Sequence, residues 1–213
     1  MTILLLIRHG ENDFIGKGLA GRLQGVHLND KGRRQAEALA EQLGKAPIKA
    51  IYSSPLERAL ETAQPLAERL GLEIQTRPGL IEVDYGEWEG KAFRQLKRLK
   101  LWKTIQTAPA GVRFPGGESL QEAQQRVCKE IETLAGFHEQ EDLIACVTHA
   151  DVIRLSTAYF LGMRLDDFQR LSVSIASMTV FQIHEKRFRL LHLNQVFALD
   201  WVQAETKKGG KAK

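Results

Sequence analysis

The stretch ILLLIRHGEND, residues 3–13, carries five apolar residues straight into an arginine, a histidine and a glycine. An unbroken apolar run bounded by a loop reads as a strand of a parallel sheet covered on both faces, where no solvent side demands alternation. In open α/β sheets functional groups collect just beyond the carboxyl ends of the strands, and Arg8 and His9 stand at that place. A second run, DLIACVTH at 142–149, repeats the pattern and ends on His149. The two histidines are therefore expected to be neighbours, although either alone reads as readily as a structural histidine at a strand end.

Around these two runs, helix and strand patterns alternate to about residue 165. After the Gly-rich loop GKGLAGRLQG (16–25), a helix is expected from an Asn29 N-cap, with Ala36, Leu39, Ala40 and Leu43 on one face and a stop at Gly44. The strand KAIYS (49–53) leads into SSPLERALETAQPLAERLG (53–71). There Ser54 is expected to cap, Pro55 to take the first helical position, Arg58 to lie in the first turn and Pro65 to kink or break the helix. The segment 73–90 reads as a short strand and a loop, and KAFRQLKRLKLWKTIQ (91–106) as one helix or a broken pair. A long amphipathic helix is expected from Leu120 to Ala135 with Val127, Ile131 and Leu134 inward, and a further helix at 151–162. SMTVFQIH (177–184) and RFRLLHLN (187–194) form an antiparallel hairpin. The expected architecture is one domain over 1–205, a three-layer α/β/α sandwich with a mostly parallel central sheet and a small helical cap segment near 90–117. A disordered basic tail at 206–213 follows.

Composition narrows the function. A chain of 213 residues, 43% of them hydrophobic, can bury one sizeable core. The formal charge of +4 is carried entirely by Lys207, Lys208, Lys211 and Lys213 of the tail. The body is neutral and holds no nucleic-acid-binding motif, so no nucleic-acid partner is expected. Apolar runs fall far short of the ~20 residues that cross a bilayer, and no signal-peptide pattern is present, so a soluble cytoplasmic protein without a membrane partner is expected. Cys128 and Cys146 lack C-x-x-C spacing and read as small buried hydrophobes. No cluster has metal-ligand spacing, and no metal or cofactor is expected. The GKGLAG loop lacks the residue order of a nucleotide P-loop.

The Arg8–His9 pair has a chemical reading of its own. A guanidinium at a buried strand end costs desolvation energy unless an anion pairs with it, and its planar fork suits phosphate oxygens. Neighbouring positive charge lowers a histidine's pKa and keeps a ring nitrogen free as a nucleophile at neutral pH. Gly10 is expected to let backbone and anion approach closely. Arg58, at a helix N-terminus, favours an anion too, or else is a solvated residue of an amphipathic helix. Glu82, Asp84, Glu87 and Glu89 compete as a proton donor, and spacing does not choose among them. Trp88 reads as a packing residue.

With LIRHGEN (6–12), SSPLERALETA (53–63), LIEVDYGEWEG (80–90), FPGGES (114–119) and VTHADVIR (147–154) in this order, the chain resembles the histidine phosphatase superfamily, the phosphoglycerate mutase-like proteins, from about residue 3 to 195. The resemblance implies that His9 is the nucleophile, transiently phosphorylated. Arg8 and Arg58 would clamp the phosphoryl oxygens, and His149 would add a donor to them. It assigns Glu82 as the general acid and then the base, with a raised pKa supplied by burial, and implies no metal. Asn12 stands where many relatives have threonine, Ile15 where they place an asparagine on phosphate, and Ala150 where they have glycine. Asn12, Gln24 and Ala150 are the further substrate-binding candidates.

Mutases and phosphatases of the family share the phosphohistidine step, and the short 90–117 segment favours a phosphatase acting on a small phosphorylated metabolite, since water reaches an uncovered phosphoenzyme. A phosphoglycerate mutase is the alternative, and a phospho-ligand-binding module without turnover a third reading. A homodimer is allowed for. From Gly90 to Gly117 there is no acidic residue, while Lys91, Arg94, Lys97, Arg98, Lys100, Lys103 and Arg113 are basic. As a cap over the site, this segment would draw in multiply charged sugar or nucleotide phosphates, the bland alternative being a solvated helix face.

Overall fold

In the computed structural model, β1 (Thr2–Arg8) buries Leu4 and Leu6 against one layer of helices and Leu5 and Ile7 against the other. That two-sided burial is why its sequence shows no alternation. The structure describes residues 1–185 and 187–196, so the domain end at 205 and the tail 206–213 lie outside the described residues.

The remaining strands are β2 (Ile48–Ser53), β3 (Ile74–Thr76), β4 (Leu143–Thr148), β5 (Met178–His184) and β6 (Arg187–Gln195). They form one sheet in the order β3-β2-β4-β1-β5-β6. The pairings β3–β2, β2–β4 and β4–β1 are parallel, while β1–β5 and β5–β6 are antiparallel. One face is covered by α1 (Asp30–Leu43) and α2 (Glu57–Leu70), through Leu39, Leu43, Ala63 and Leu66. The short helices α3 (Phe93–Leu96) and α4 (Lys100–Thr107) are the expected broken pair. The other face is covered by α5 (Leu120–Gly136) and α6 (Ala150–Phe160), with Val127, Ile131 and Leu134 buried as expected. Full burial of one such leucine or valine contributes about 1.5–3 kcal/mol. Cys128 and Cys146 are buried in this layer, and burial pushes the Cys128 thiol up to about 12, so neither acts as a thiolate. No helix among the described residues is long and apolar enough to cross a membrane.

Asn29 caps α1 as expected, its side chain accepting from the Gly32 N–H at 2.9 Å. Ser54 does not cap α2. Its N–H still pairs with the Val147 carbonyl at 2.9 Å, prolonging the β2–β4 pairing, so the helix begins only at Glu57 with an uncapped Leu56 before it. Nor does Pro65 break α2, which runs through it because Ala63, Leu66 and Ala67 are buried on either side.

Gly10 also has a packing role. A Cβ on Gly10 would stand 2.7 Å from the Gly32 carbonyl oxygen, and one on Gly32 would stand 2.1 Å from that of Glu11. The missing side chains let the loop after β1 lie directly on the first turn of α1. Alanine gains about 1 kcal/mol over glycine inside a helix, but forced overpacking costs about 1–3 kcal/mol. The clash wins here because backbone atoms cannot rotate away. Gly32→Ala is expected to lower the stability measured by urea unfolding by roughly 2 kcal/mol, and an unchanged midpoint would show that the loop yields freely.

Candidate active site

Parallel pairing of β1 with β4 sets Arg8 opposite Thr148, and the next residue on each strand is a histidine. The His9 N–H donates to the Thr148 carbonyl at 2.9 Å, and the two imidazole centroids lie 5.2 Å apart. The helices that follow these neighbouring strands, α1 and α6, pass to opposite faces of the sheet. Such a switch point opens a crevice at the carboxyl ends. A cavity of about 460 Å³ lies there, with Arg8, His9, Asn12, Arg58, Glu82 and Ala150 in its wall.

His9 is held in one tautomer. Its Nδ1 is 2.7 Å from the Gly10 carbonyl oxygen, which can only accept, so Nδ1 carries the hydrogen and Nε2 keeps its lone pair. Burial first, and then the charges of Arg58 and Arg8, hold its pKa well below the ordinary histidine value. The loop is pinned by the Gly10 N–H, which donates to Thr62 Oγ1 at 2.9 Å; that hydroxyl donates in turn to the Arg58 carbonyl at 2.6 Å.

Arg58, in the first turn of α2, is 1% exposed. Its Nη2 donates to the Gly21 carbonyl at 2.7 Å, while Nε and Nη1 have no partner among the described residues. Arg8 donates from Nη1 to the Val173 carbonyl at 2.8 Å, and its buried Nε has no partner among the described residues. His149 is fully buried and outside the cavity wall; its Nε2 is 2.7 Å from Ser54 Oγ, and its Nδ1 has no partner among the described residues. An unsatisfied buried donor costs about 1–3 kcal/mol, more when charged. The unpaired guanidinium nitrogens of Arg8 and Arg58, whose charges act on His9, suit an anion.

Of the four competing carboxylates, only Glu82 lines the cavity. Asp84 pairs with Arg22 and accepts from the Gly86 N–H, Glu89 accepts from the Arg22 N–H, and Glu87 is exposed. Burial first, and then the nearby charge of Asp151, raise the Glu82 carboxyl to about 7. Its backbone is clamped. Arg22 Nε donates to the Glu82 carbonyl and Arg126 Nη1 to that of Ile81, each at 2.9 Å. The two guanidiniums then meet on Glu118 Oε1, at 3.0 and 2.7 Å. Because the Gly21 carbonyl accepts from Arg58 and Arg22 donates to the Glu82 carbonyl, one dipeptide couples a guanidinium of the cavity wall to its carboxylate.

Asn12 and Ala150 lie in the cavity wall, Asn12 buried with its Oδ1 accepting from the Phe14 N–H at 3.0 Å. Gln24 is exposed and outside the wall. The sequence reading missed Tyr85, Asp151 and Arg154, all in the wall. Tyr85 donates to Asp151 Oδ2 at 2.7 Å, and Arg154 Nη1 to Asp151 Oδ1 at 2.9 Å. Asp151 and Arg154, one turn apart directly after His149, were the available signal. The 90–117 segment does reach the cavity, but through Phe93, Trp102, Ile105, Gln106 and Phe114. Its seven basic side chains are exposed and none is in the wall, because α3 and α4 turn their apolar faces inward. Trp88 packs in this apolar cluster, as expected, and also lines the cavity.

The chain matches the family model of the histidine phosphatase superfamily (branch 1) over residues 4–196. It is 32% identical over 199 residues to phosphoserine phosphatase 1 of Hydrogenobacter thermophilus, covering 91% of this chain and 92% of that protein. It is 34% identical over 193 residues to the 2,3-bisphosphoglycerate-dependent phosphoglycerate mutase of Thermoplasma acidophilum, covering 90% and 92%. Among solved structures, the phosphoserine phosphatase of Entamoeba histolytica in complex with 3-phosphoglyceric acid superposes with a TM-score of 0.84 at 28% identity, covering 92% of this chain and 98% of that one.

Proposed function

As the chain belongs to the histidine phosphatase superfamily, we propose that it hydrolyses small phosphate monoesters through a phosphohistidine formed on His9, without a metal ion. The observation that carries this reading is the free Nε2 of His9 beside the unpaired nitrogens of Arg8, Arg58 and His149, with Glu82 in the same cavity.

In the first step the Nε2 lone pair attacks phosphorus as the ester P–O bond breaks, and Glu82, half protonated near neutral pH, gives its proton to the departing oxygen. The negative oxygens gain hydrogen bonds from Arg8 and Arg58, and His149 donates through Nδ1 while Ser54 donates to its Nε2. In the second step water attacks the phosphohistidine, Glu82 takes the water proton, the P–N bond breaks, and inorganic phosphate leaves with Nε2 restored. The cationic donors supply the neutralisation that a metal supplies elsewhere. Asn12 and the start of α6 at Ala150 contribute to holding the substrate.

The phosphoserine phosphatase relatives support a hydrolase; the phosphoglycerate mutase relative supports the alternative in which a second hydroxyl, not water, takes the phosphoryl group. The test is incubation with phosphoserine, 3-phosphoglycerate and neutral monoesters in the presence of EDTA, reading inorganic phosphate and 2-phosphoglycerate. Phosphate release undiminished by the chelator is expected. Formation of 2-phosphoglycerate without net phosphate would make the protein a mutase, and loss of activity on chelation would remove the metal-free mechanism.

A further inference from the structure

We infer that the site selects monoesters whose alcohol is uncharged and carries a flat apolar ring, over carboxylate-bearing ones such as phosphoserine or 3-phosphoglycerate; this rests on the hydrolase reading above. Beyond the phosphate cluster, the cavity is walled by two separate apolar segments. Phe14, Ile15 and Leu19 come from the loop after β1, and Phe93, Trp102 and Phe114 from the 90–117 segment. All but Phe114 are only half-buried by the rest of the chain, although each lines the cavity. The rings are pre-set by one another. Trp102 stacks on Trp88 at 6.1 Å and meets Phe93 at 5.9 Å, and Trp88 meets Phe114 edge-on at 5.5 Å. Aromatic groups so held present a ready slot for a further ring at little ordering cost.

Charge argues the same way. Arg8 and Arg58 belong to the phosphoryl group, and the third arginine of the wall, Arg154, is engaged by Asp151 at 2.9 Å and the Leu171 carbonyl at 3.0 Å. The basic residues of 90–117 are outside the wall. A substrate carboxylate would therefore face aromatic carbon and the Asp151 carboxylate, and the wall cation outside the phosphate cluster, Arg154, already has its charge paired with Asp151, an arrangement that penalises it. The cavity of about 460 Å³ accommodates a ring system beside the phosphate.

The test compares kcat/KM for naphthylmethyl phosphate, benzyl phosphate and phosphoserine, all esters of alcohols, so that leaving-group acidity does not dominate the ranking. Naphthylmethyl phosphate is expected to exceed phosphoserine by roughly tenfold or more, chiefly through KM, with Trp102→Ala narrowing that ratio by about tenfold. An equal or reversed ranking overturns the inference, as does a ratio indifferent to Trp102. Calorimetry of the wild-type protein with naphthylmethylphosphonate and 2-amino-3-phosphonopropanoate keeps the two readings apart. If no ester is turned over, the hydrolase reading falls, while tighter binding of the naphthyl compound by roughly tenfold sustains the slot and equal binding removes it.

Discussion

His9→Ala abolishes phosphate release, with kcat/KM for any good monoester substrate falling by about 10⁴-fold or more, and it eliminates the phosphoenzyme trapped by rapid alkaline quenching. The size follows from the site's design. In the proposed mechanism Arg8, Arg58 and His149 would stabilise charge on the phosphoryl group, but without Nε2 there would be no atom to receive it, and water in its place would lack the fixed approach that the Gly10 bond imposes on the ring. The phosphoenzyme bears on its assignment: a P–N bond to imidazole is labile in acid and survives base. A label stable to acid would place the phosphate on an oxygen, and a variant retaining a tenth of wild-type activity would remove His9 from the nucleophile's role.

Glu82→Gln is the second large effect, a fall in kcat of about 10²–10⁴-fold on alcohol esters. The loss should shrink for p-nitrophenyl phosphate, whose departing oxygen needs little protonation, provided phosphoenzyme formation is measured in a single turnover. An equal loss for both esters would indicate a structural role instead. The same group has a stability signature. Its carboxyl titrates near 4.5 in the unfolded chain and about 7 in the native one. Between those values the unfolded state sheds a proton that the native state keeps. The contribution of Glu82 is therefore fully present below pH 4.5 and is lost as pH rises through 7, by on the order of 3 kcal/mol. Glutamine does not titrate. The stability difference between wild type and variant should thus fall across that window in urea unfolding and level off above it; a difference independent of pH would mean that Glu82 is not raised.

Much of this site was legible because its parts sit at strand ends and in short ordered motifs. The runs before His9 and His149 announce two-sided burial, and parallel neighbours in register bring the residues after them together. Arg58 was legible from its place at a helix start. Glu82 was not separable by spacing from Asp84, Glu87 and Glu89; the family resemblance chose it, and the structure separates them by partners and burial, which no local pattern encodes. Gln24, a substrate-binding candidate from the family resemblance, stands at the surface outside the cavity wall. Ser54 looked like a helix cap because its type and position fit one, but pairing beyond the end of β2 keeps it out of the helix and delivers its hydroxyl to His149.

The sequence by itself determined the α/β layering and the place of Arg8 and both histidines at strand ends, because periodicity and strand ends are local properties of the chain, while the family resemblance singled out Arg58. Only the tertiary structure decided which carboxylate shares the cavity, that Arg22 and Arg126 clamp it, and that the basic 90–117 segment shows the site aromatic rings instead of its charges. Those outcomes depend on which faces meet across long sequence separations. An amphipathic segment can turn either side toward a site, and its packing partners choose the side that buries the most apolar surface.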